Sequence, residues 1–286
     1  MEIAIKFKQP IITTIKKRKS IRTYQPAIIG SEKRKALQNA VATPGKDLYR
    51  FILIERKTRK NLFEKIETYG VIKGANAFLI GILCKEFKNR KDTAINFGYD
   101  FEQVILKATE LGFGTCWMAG TFNAAVFLKY FDLSRDEKIA VISPVGIPAE
   151  KPHLLSKVFT RSAKSKIRKS WQELFFEGWK KSPLSKVNIG DYALALEMVR
   201  LAPSAVNSQP WRVIKTDQGF HFCAAVTNYF APGKQAFLRY NDMGIALVHL
   251  ELVCRELGLE GKWIADQRFD NIDPALEYIQ TWKTGN

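Results

Sequence analysis

Three stretches of the 286-residue chain carry side chains whose types and spacing could do chemistry. The first is Arg18-Lys19-Ser20-Ile21-Arg22. Residues two apart share a face of an extended segment, so Arg18, Ser20 and Arg22 would present two guanidinium groups and a hydroxyl together. Lys166 and Arg168 repeat that spacing far along the chain. Arginine offers a planar fork of donors and serine a short hydroxyl contact, which suits a phosphate. A basic run is also what an ordinary solvated face looks like. The second stretch, Gly112-Phe-Gly-Thr-Cys-Trp-Met-Ala-Gly120, follows an apolar-periodic segment. Its glycines would let backbone amides approach a flat ligand closely, and the same pattern fits a helix C-cap glycine followed by a buried strand. Cys116 has no histidine near it in sequence and reads as a small buried hydrophobe, not a nucleophile. The third, Ala202-Pro-Ser-Ala-Val-Asn-Ser-Gln-Pro-Trp211, closes another apolar-periodic run with small and amide residues. No dinucleotide fingerprint, Walker loop or HExxH motif occurs. The four cysteines and three histidines are scattered, which suggests neither a disulfide framework nor a metal site.

The elements that must position these stretches alternate between helices and short strands. Ser31 is a plausible N-cap for a helix to about residue 41, followed by strands over 50–55 and 77–84 with a helix near 60–68 between them. Ile95, Phe101, Val104, Ile105, Ala108 and Leu111 approximate the 3.6 period and predict a long helix over about 93–111. A short helix after Asn123 and a strand over 138–145 follow. The second half predicts a helix after Asp191, strands over 212–215 and 219–224 and a long helix over 242–257. Asp273-Pro274 stands as N-cap and N1 of a last helix.

The halves also agree in residues. Gly98–Trp117 aligns without gaps on Gly244–Trp263 at a shift of 146, matching Gly98 with Gly244, Glu110 with Glu256, Leu111 with Leu257, Gly112 with Gly258 and Trp117 with Trp263. The segment from Lys35 to Ile54 resembles that from Ala193 to Ile214, with two extra residues in the later copy. The chain therefore reads as two degenerate repeats, 1–170 and 171–286. They have diverged in complementary ways. The first holds the paired arginines and the Gly112–Gly120 stretch, whereas the second has SKVNIGDY where a second RKSIR would stand, and APSAVNSQPW where the first reads the uninformative ATPGKDLYRF.

RKSIR, ELGFGTCWMAG and APSAVNSQPW together resemble the signature segments of the FMN-dependent nitroreductase family, in its tandem-repeat, fused pseudo-dimer form. The resemblance covers most of the chain, and APSAVNSQPW is its most specific part. It implies an α+β nitroreductase-like fold whose half-repeats form an intramolecular pseudo-dimer around mainly antiparallel sheets, with FMN at the junction. It assigns Arg18, Lys19, Ser20 and Arg22 to the flavin phosphate, with Lys166 and Arg168 as the later basic pair. Ala119 and Gly120 fall beside flavin N5, and Pro203, Ser204, Ala205 and Asn207 come from across the junction. It further implies hydride transfer from NAD(P)H as cosubstrate to an electron-poor acceptor such as a nitroaromatic or quinone. No catalytic acid or base and no metal ligand is assigned.

Composition bounds the alternatives. A hydrophobic content of 46% with 12% aromatics supports a globular core. The apolar runs fall well short of a bilayer span and the start of the chain does not resemble a signal peptide, so a cytoplasmic protein without a membrane partner is expected. The net charge of +17 is compatible with a polyanionic partner, but lysine is spread through the chain and aromatics do not interleave with the basic clusters. Two other classes fit part of the pattern: a flavin-binding protein without turnover, and a basic nucleic-acid-binding protein. One chain would supply one complete site as a monomeric pseudo-dimer, with a higher oligomer compatible.

Overall fold

The structure is a computed structural model and describes residues 1–42, 48–55, 68, 71–84, 90–151, 167–179, 182–226, 232–266 and 273–285. Helices are α1 Ile11–Lys17, α2 Ser31–Ala42, α3 Arg90–Glu110, α4 Ala124–Phe127, α5 Trp171–Leu174, α6 Tyr192–Arg200 and α7 Pro232–Glu256. Strands are β1 Tyr49–Glu55, β2 Ala77–Cys84, β3 Gly114–Thr115, β4 Glu137–Gly146, β5 Phe175–Glu177, β6 Ser182–Pro183, β7 Trp211–Thr216, β8 Gly219–Ala225, β9 Gly261–Ile264 and β10 Leu276–Thr284. The fold is nitroreductase-like α+β. One sheet runs β1-β2-β4-β3 and the other β6-β5-β7-β8-β10-β9, so the last four strands of the second sheet repeat the order of the first. All pairings within these two sets of four are antiparallel. The seam adds β5, which joins β7 in parallel.

α3 and α7 pack on each other between the sheets, and their sequences explain why they can. Nearly every side chain of α3 from Thr93 to Ala108 is buried, as suits a helix with neighbours all round. A Cβ on Gly98 would lie 2.1 Å from the Asn241 carbonyl oxygen, and one on Gly244 would lie 1.9 Å from that of Ile95. The shift of 146 maps Ile95 onto Asn241 as it maps Gly98 onto Gly244. The aligned glycines thus permit one close backbone crossing, seen from its two sides.

The N-terminal segment straps both long helices. Ala4 N–H donates to Gln103 Oε1 at 3.0 Å, Lys8 and Gln9 donate to the Glu110 carboxylate, and Ile11 and Ile12 donate to Glu256. The aligned pair Glu110 and Glu256 therefore anchors a single strap.

Most expected elements form close to their expected bounds. The element at Asp273-Pro274 does not: Asp273 makes a turn, accepting from Ala275 N–H at 2.8 Å through Oδ1 and from Leu276 N–H at 2.9 Å through its carbonyl, and strand β10 follows. An aspartate before proline opens a turn by the same hydrogen bond that caps a helix. The β-rich run Tyr278-Ile279-Gln280-Thr281-Trp282 then pairs with β8 and β9. α7 begins ten residues before its expected start, in a stretch where Phe237 meets Phe97 edge-on at 5.8 Å and Arg239 pairs with Glu277 at 2.7 Å. The helix expected near 60–68 lies outside the described residues apart from Thr68.

Candidate functional site

The RKSIR segment leaves α1 in extended geometry, with φ −60° and ψ 125° at Arg18. Ser20 then bridges Thr115 in parallel, and Ile21 N–H donates to the Thr115 carbonyl at 2.8 Å. The first two motifs therefore lie side by side. Arg18, Ser20 and Arg22 occupy alternate positions and all three lie near enough to act on the Cys116 thiol, Ser20 by a hydrogen bond. Lys19 lies on the alternate position and is exposed. Cys116 is buried, and burial raises its pKa against the opposing pull of Arg22, Ser20 and Arg18. It is an inert thiol at the base of the cluster. Gly112 takes φ +86° after α3 and β3 is buried, so the C-cap and buried-strand pattern holds here. It also delivers Trp117 to Ala119 next to the basic segment. Gly120 is exposed and Ala119 half-buried.

The third motif arrives on the loop after α6. Arg168 Nη1 donates to Asn207 Oδ1 at 3.0 Å, and Asn207 Nδ2 donates to the Ile167 carbonyl at 2.7 Å. Lys169 N–H donates to Gln209 Oε1 at 2.8 Å. Val206, Asn207 and Gln209 take φ of 47°, 58° and 47°, a left-handed geometry that costs on the order of 1–3 kcal/mol per non-glycine residue. The surroundings hold it in place. Ser204 Oγ accepts from Gln209 N–H at 2.9 Å, and buried Asp242 on α7 accepts from Ala205 N–H at 3.0 Å and from Ser208 Oγ at 3.3 Å. Pro203 is buried, Ser204 and Ala205 are half-buried, and Val206 projects as the exposed tip. Burial lifts the Asp242 pKa to about 8, opposed by the Ala205 and Ser208 hydrogen bonds.

Electrostatics join the segments. Arg168 is pushed down to about 10, first by burial, then by the neighbouring charges of Arg18 and Arg200. Arg18 is lowered by burial against the favourable pull of Glu102 and Cys116. Its Nε is buried without a hydrogen-bond partner among the described residues. Surface arginines of this chain contrast with it: Arg34 and Arg50 each pair with a glutamate at 2.6 Å. Arg18 and Arg168 are thus near enough for the charge of the first to act on the second, and both are held at a desolvation cost.

Of the expected residues, Arg18, Ser20, Arg22, Arg168, Ser204, Ala205 and Asn207 are brought to one region. Lys166 lies outside the described residues. A cleft of about 420 Å³ lined by Lys6, Lys8, Lys35, Asn39 and Lys107 shares no residue with the cluster. Among the described residues no group of His, Cys, Asp or Glu could hold a metal ion, and no helix is long and apolar enough to cross a membrane. Sequence reasoning missed Glu102, His249 and Asp242, buried polar residues on helices that carry other polar residues besides, so no local pattern set them apart.

Residues 10–254 match the family described as "Putative TM nitroreductase". The chain belongs to this family. Its members are nitroreductase-type oxidoreductases, which makes the chain an enzyme of that class. The "putative nitroreductase" of Thermotoga maritima shares the fold at 20% identity and a TM-score of 0.56, over 98% of this chain and 95% of that one. A nitroreductase from Desulfovibrio desulfuricans in complex with FMN is similar at 22% identity and a TM-score of 0.40, over 53% of this chain and 95% of its own. An FMN-dependent nitroreductase from Clostridium difficile is similar at 23% identity and a TM-score of 0.39, over 52% and 95%. No curated protein matches the chain.

Proposed function

We propose that this nitroreductase-family chain binds FMN and passes hydride from NAD(P)H to an electron-poor acceptor such as a nitroaromatic or quinone. The carrying observation is the confrontation of Arg18 and Arg168, drawn from distant segments and each lowered in pKa by burial. A phosphate dianion relieves their mutual repulsion and gives the buried Arg18 Nε an acceptor. Arg18, Ser20, Arg22 and Arg168 would hold the phosphate, with Lys19 and Lys166 adding positive field. Ala119 and Gly120 would meet the N5 edge, while Pro203, Ser204, Ala205 and Asn207 form the opposing wall and exclude water. Bound flavin supplies the two-electron chemistry. No side chain is assigned as proton donor.

In this reading 1–170 and 171–286 are repeats forming one pseudo-dimer in a monomeric chain, with one complete site. Titration of the apo protein should saturate at one FMN per chain, with riboflavin far weaker, and the complex should consume NADH or NADPH when a quinone is added. Equal affinity for riboflavin overturns the phosphate assignment, and two tight equivalents overturn the single site. FMN binding without nicotinamide oxidation rejects hydride transfer. Steeply salt-dependent binding to generic DNA in place of flavin binding would favour a nucleic-acid protein.

A further inference from the structure

Between the site and the junction of the repeats lies a polar group that the reading above leaves unused. Glu102 of α3 and His249 of α7 are both fully buried, with Glu102 Oε1 3.0 Å from His249 Nε2. Glu102 Oε2 accepts from Trp117 Nε1–H at 2.7 Å. On its far side, His249 Nδ1 lies 2.9 Å from the Met198 carbonyl oxygen. That oxygen can only accept, so Nδ1 carries a hydrogen. A neutral ring protonated at Nδ1 would turn a bare Nε2 lone pair on Glu102, and two acceptors do not approach to 3.0 Å in a dry core without a proton between them. The pair therefore holds a bridging proton, as imidazolium and carboxylate or as neutral ring and carboxylic acid.

One carboxyl group thus meets three parts of the molecule. It tethers Trp117, which leads into Ala119 and Gly120. As a carboxylate it also supplies the largest favourable charge acting on Arg18. Through His249 it is fixed to α7, the helix that also carries Asp242 and so the wall loop. The alignment shows that this is specific to one side, because Val248 stands at the counterpart of Glu102 and Gln103 at that of His249.

We propose that Glu102 is a positioning residue for the site: through a proton shared with His249 of the second repeat, its carboxyl aims Trp117 and steadies Arg18, so that both repeats set the geometry of the grip. The consequence for FMN rests on the flavin reading above, whereas the positioning itself is testable without flavin.

The test uses the full chain. In the parent apo protein, proton and nitrogen NMR of the His249 ring should find Nδ1 protonated and a strongly deshielded proton between Nε2 and Glu102. A ring bearing one proton, with none bridging to Glu102, overturns the shared proton. The Trp117 indole N–H resonance should move in E102L and return in E102Q, whose amide oxygen can accept from Trp117 while its NH2 donates to His249. FMN affinity should fall about tenfold in E102L and largely recover in E102Q. An unmoved Trp117 resonance in folded E102L overturns the positioning role. If E102L does not fold, the decision passes to the His249 spectrum and E102Q, whose failure to keep the Trp117 resonance counts against the proposal. Absence of FMN binding in every variant, parent included, defeats the flavin reading and leaves the indole and ring measurements to judge this one.

Discussion

The two sides of the repeat junction keep the same frame and differ in what they put on it. On both, the tryptophan of the aligned segment donates its indole N–H at 2.7 Å to a buried glutamate of a long helix, Trp117 to Glu102 and Trp263 to Glu251. The glutamates differ in register by one turn, since position 105, the counterpart of Glu251, is isoleucine. Glu102 is answered by buried His249 and by the field of Arg18. Glu251 is answered by Tyr99 Oη at 2.5 Å and by half-exposed Arg255 at 2.6 Å. The first side gathers Arg18 and Arg168, with no carboxylate bonded to Arg18 among the described residues. On the second side the counterpart of Cys116 is Lys262 and that of Gly120 is Asp266. The glycines that let the helices cross are the same on both sides, whereas Cys116 and Gly120 have Lys262 and Asp266 as their counterparts.

The shared frame should break identically from either side, and this is the largest effect expected. Gly98→Ala and Gly244→Ala each force a methyl into a carbonyl oxygen, and each should cost more than about 3 kcal/mol, read by denaturant unfolding. A marked inequality between them would show that the crossing is not shared equally.

Asp242 belongs to one side only, its counterpart being Asn96. Its folded pKa of about 8 lies above the ordinary 3.8, so the folded state holds a proton that the unfolded chain releases. Its stabilising contribution is complete below about pH 4 and lost as pH rises towards 8, at up to about 1.4 kcal/mol per pH unit. Asp242→Asn, which can still accept from Ala205, should remove this slope. The difference in Tm between variant and parent should grow in the variant's favour from pH 5 to pH 9, and a constant difference counts against the assignment.

Arg18→Ala or Arg168→Ala should each weaken FMN binding by about 1.5–3 kcal/mol, roughly ten- to a hundred-fold, while leaving riboflavin binding unchanged. Arg255→Ala, on the other side, is the smallest. Its side chain is 54% exposed, so stability should change by less than about 1 kcal/mol and FMN affinity not at all.

The legible parts of this fold were those written in local periodicity and in self-similarity. β2 was read to its end residues because it is a continuous apolar run, seven of its eight residues being buried, and α3 because its period is sustained along the helix. The strand order could not be read, because pairing is set by contacts across the chain. Neither could β9, whose four residues Gly261–Ile264 are too few to show alternation. Asp273-Pro274 misled because a turn and a helix cap use one hydrogen bond. In the site, the arginines and the Asn207 loop were legible as motifs. Glu102 and His249 were not, because their 147-residue separation is bridged only once α3 and α7 cross.

The strap sets an order of events on the ribosome. Ile11 finds its acceptor in Glu256, 245 residues later in the chain. At about 5–20 residues per second, Ile11 waits on the order of ten to fifty seconds for that anchor to be made. Until then α1, and with it the arginine segment that leaves it, has only the first repeat to lean on. The arginine segment leaves the ribosome well before the residue that fastens the strap beside it.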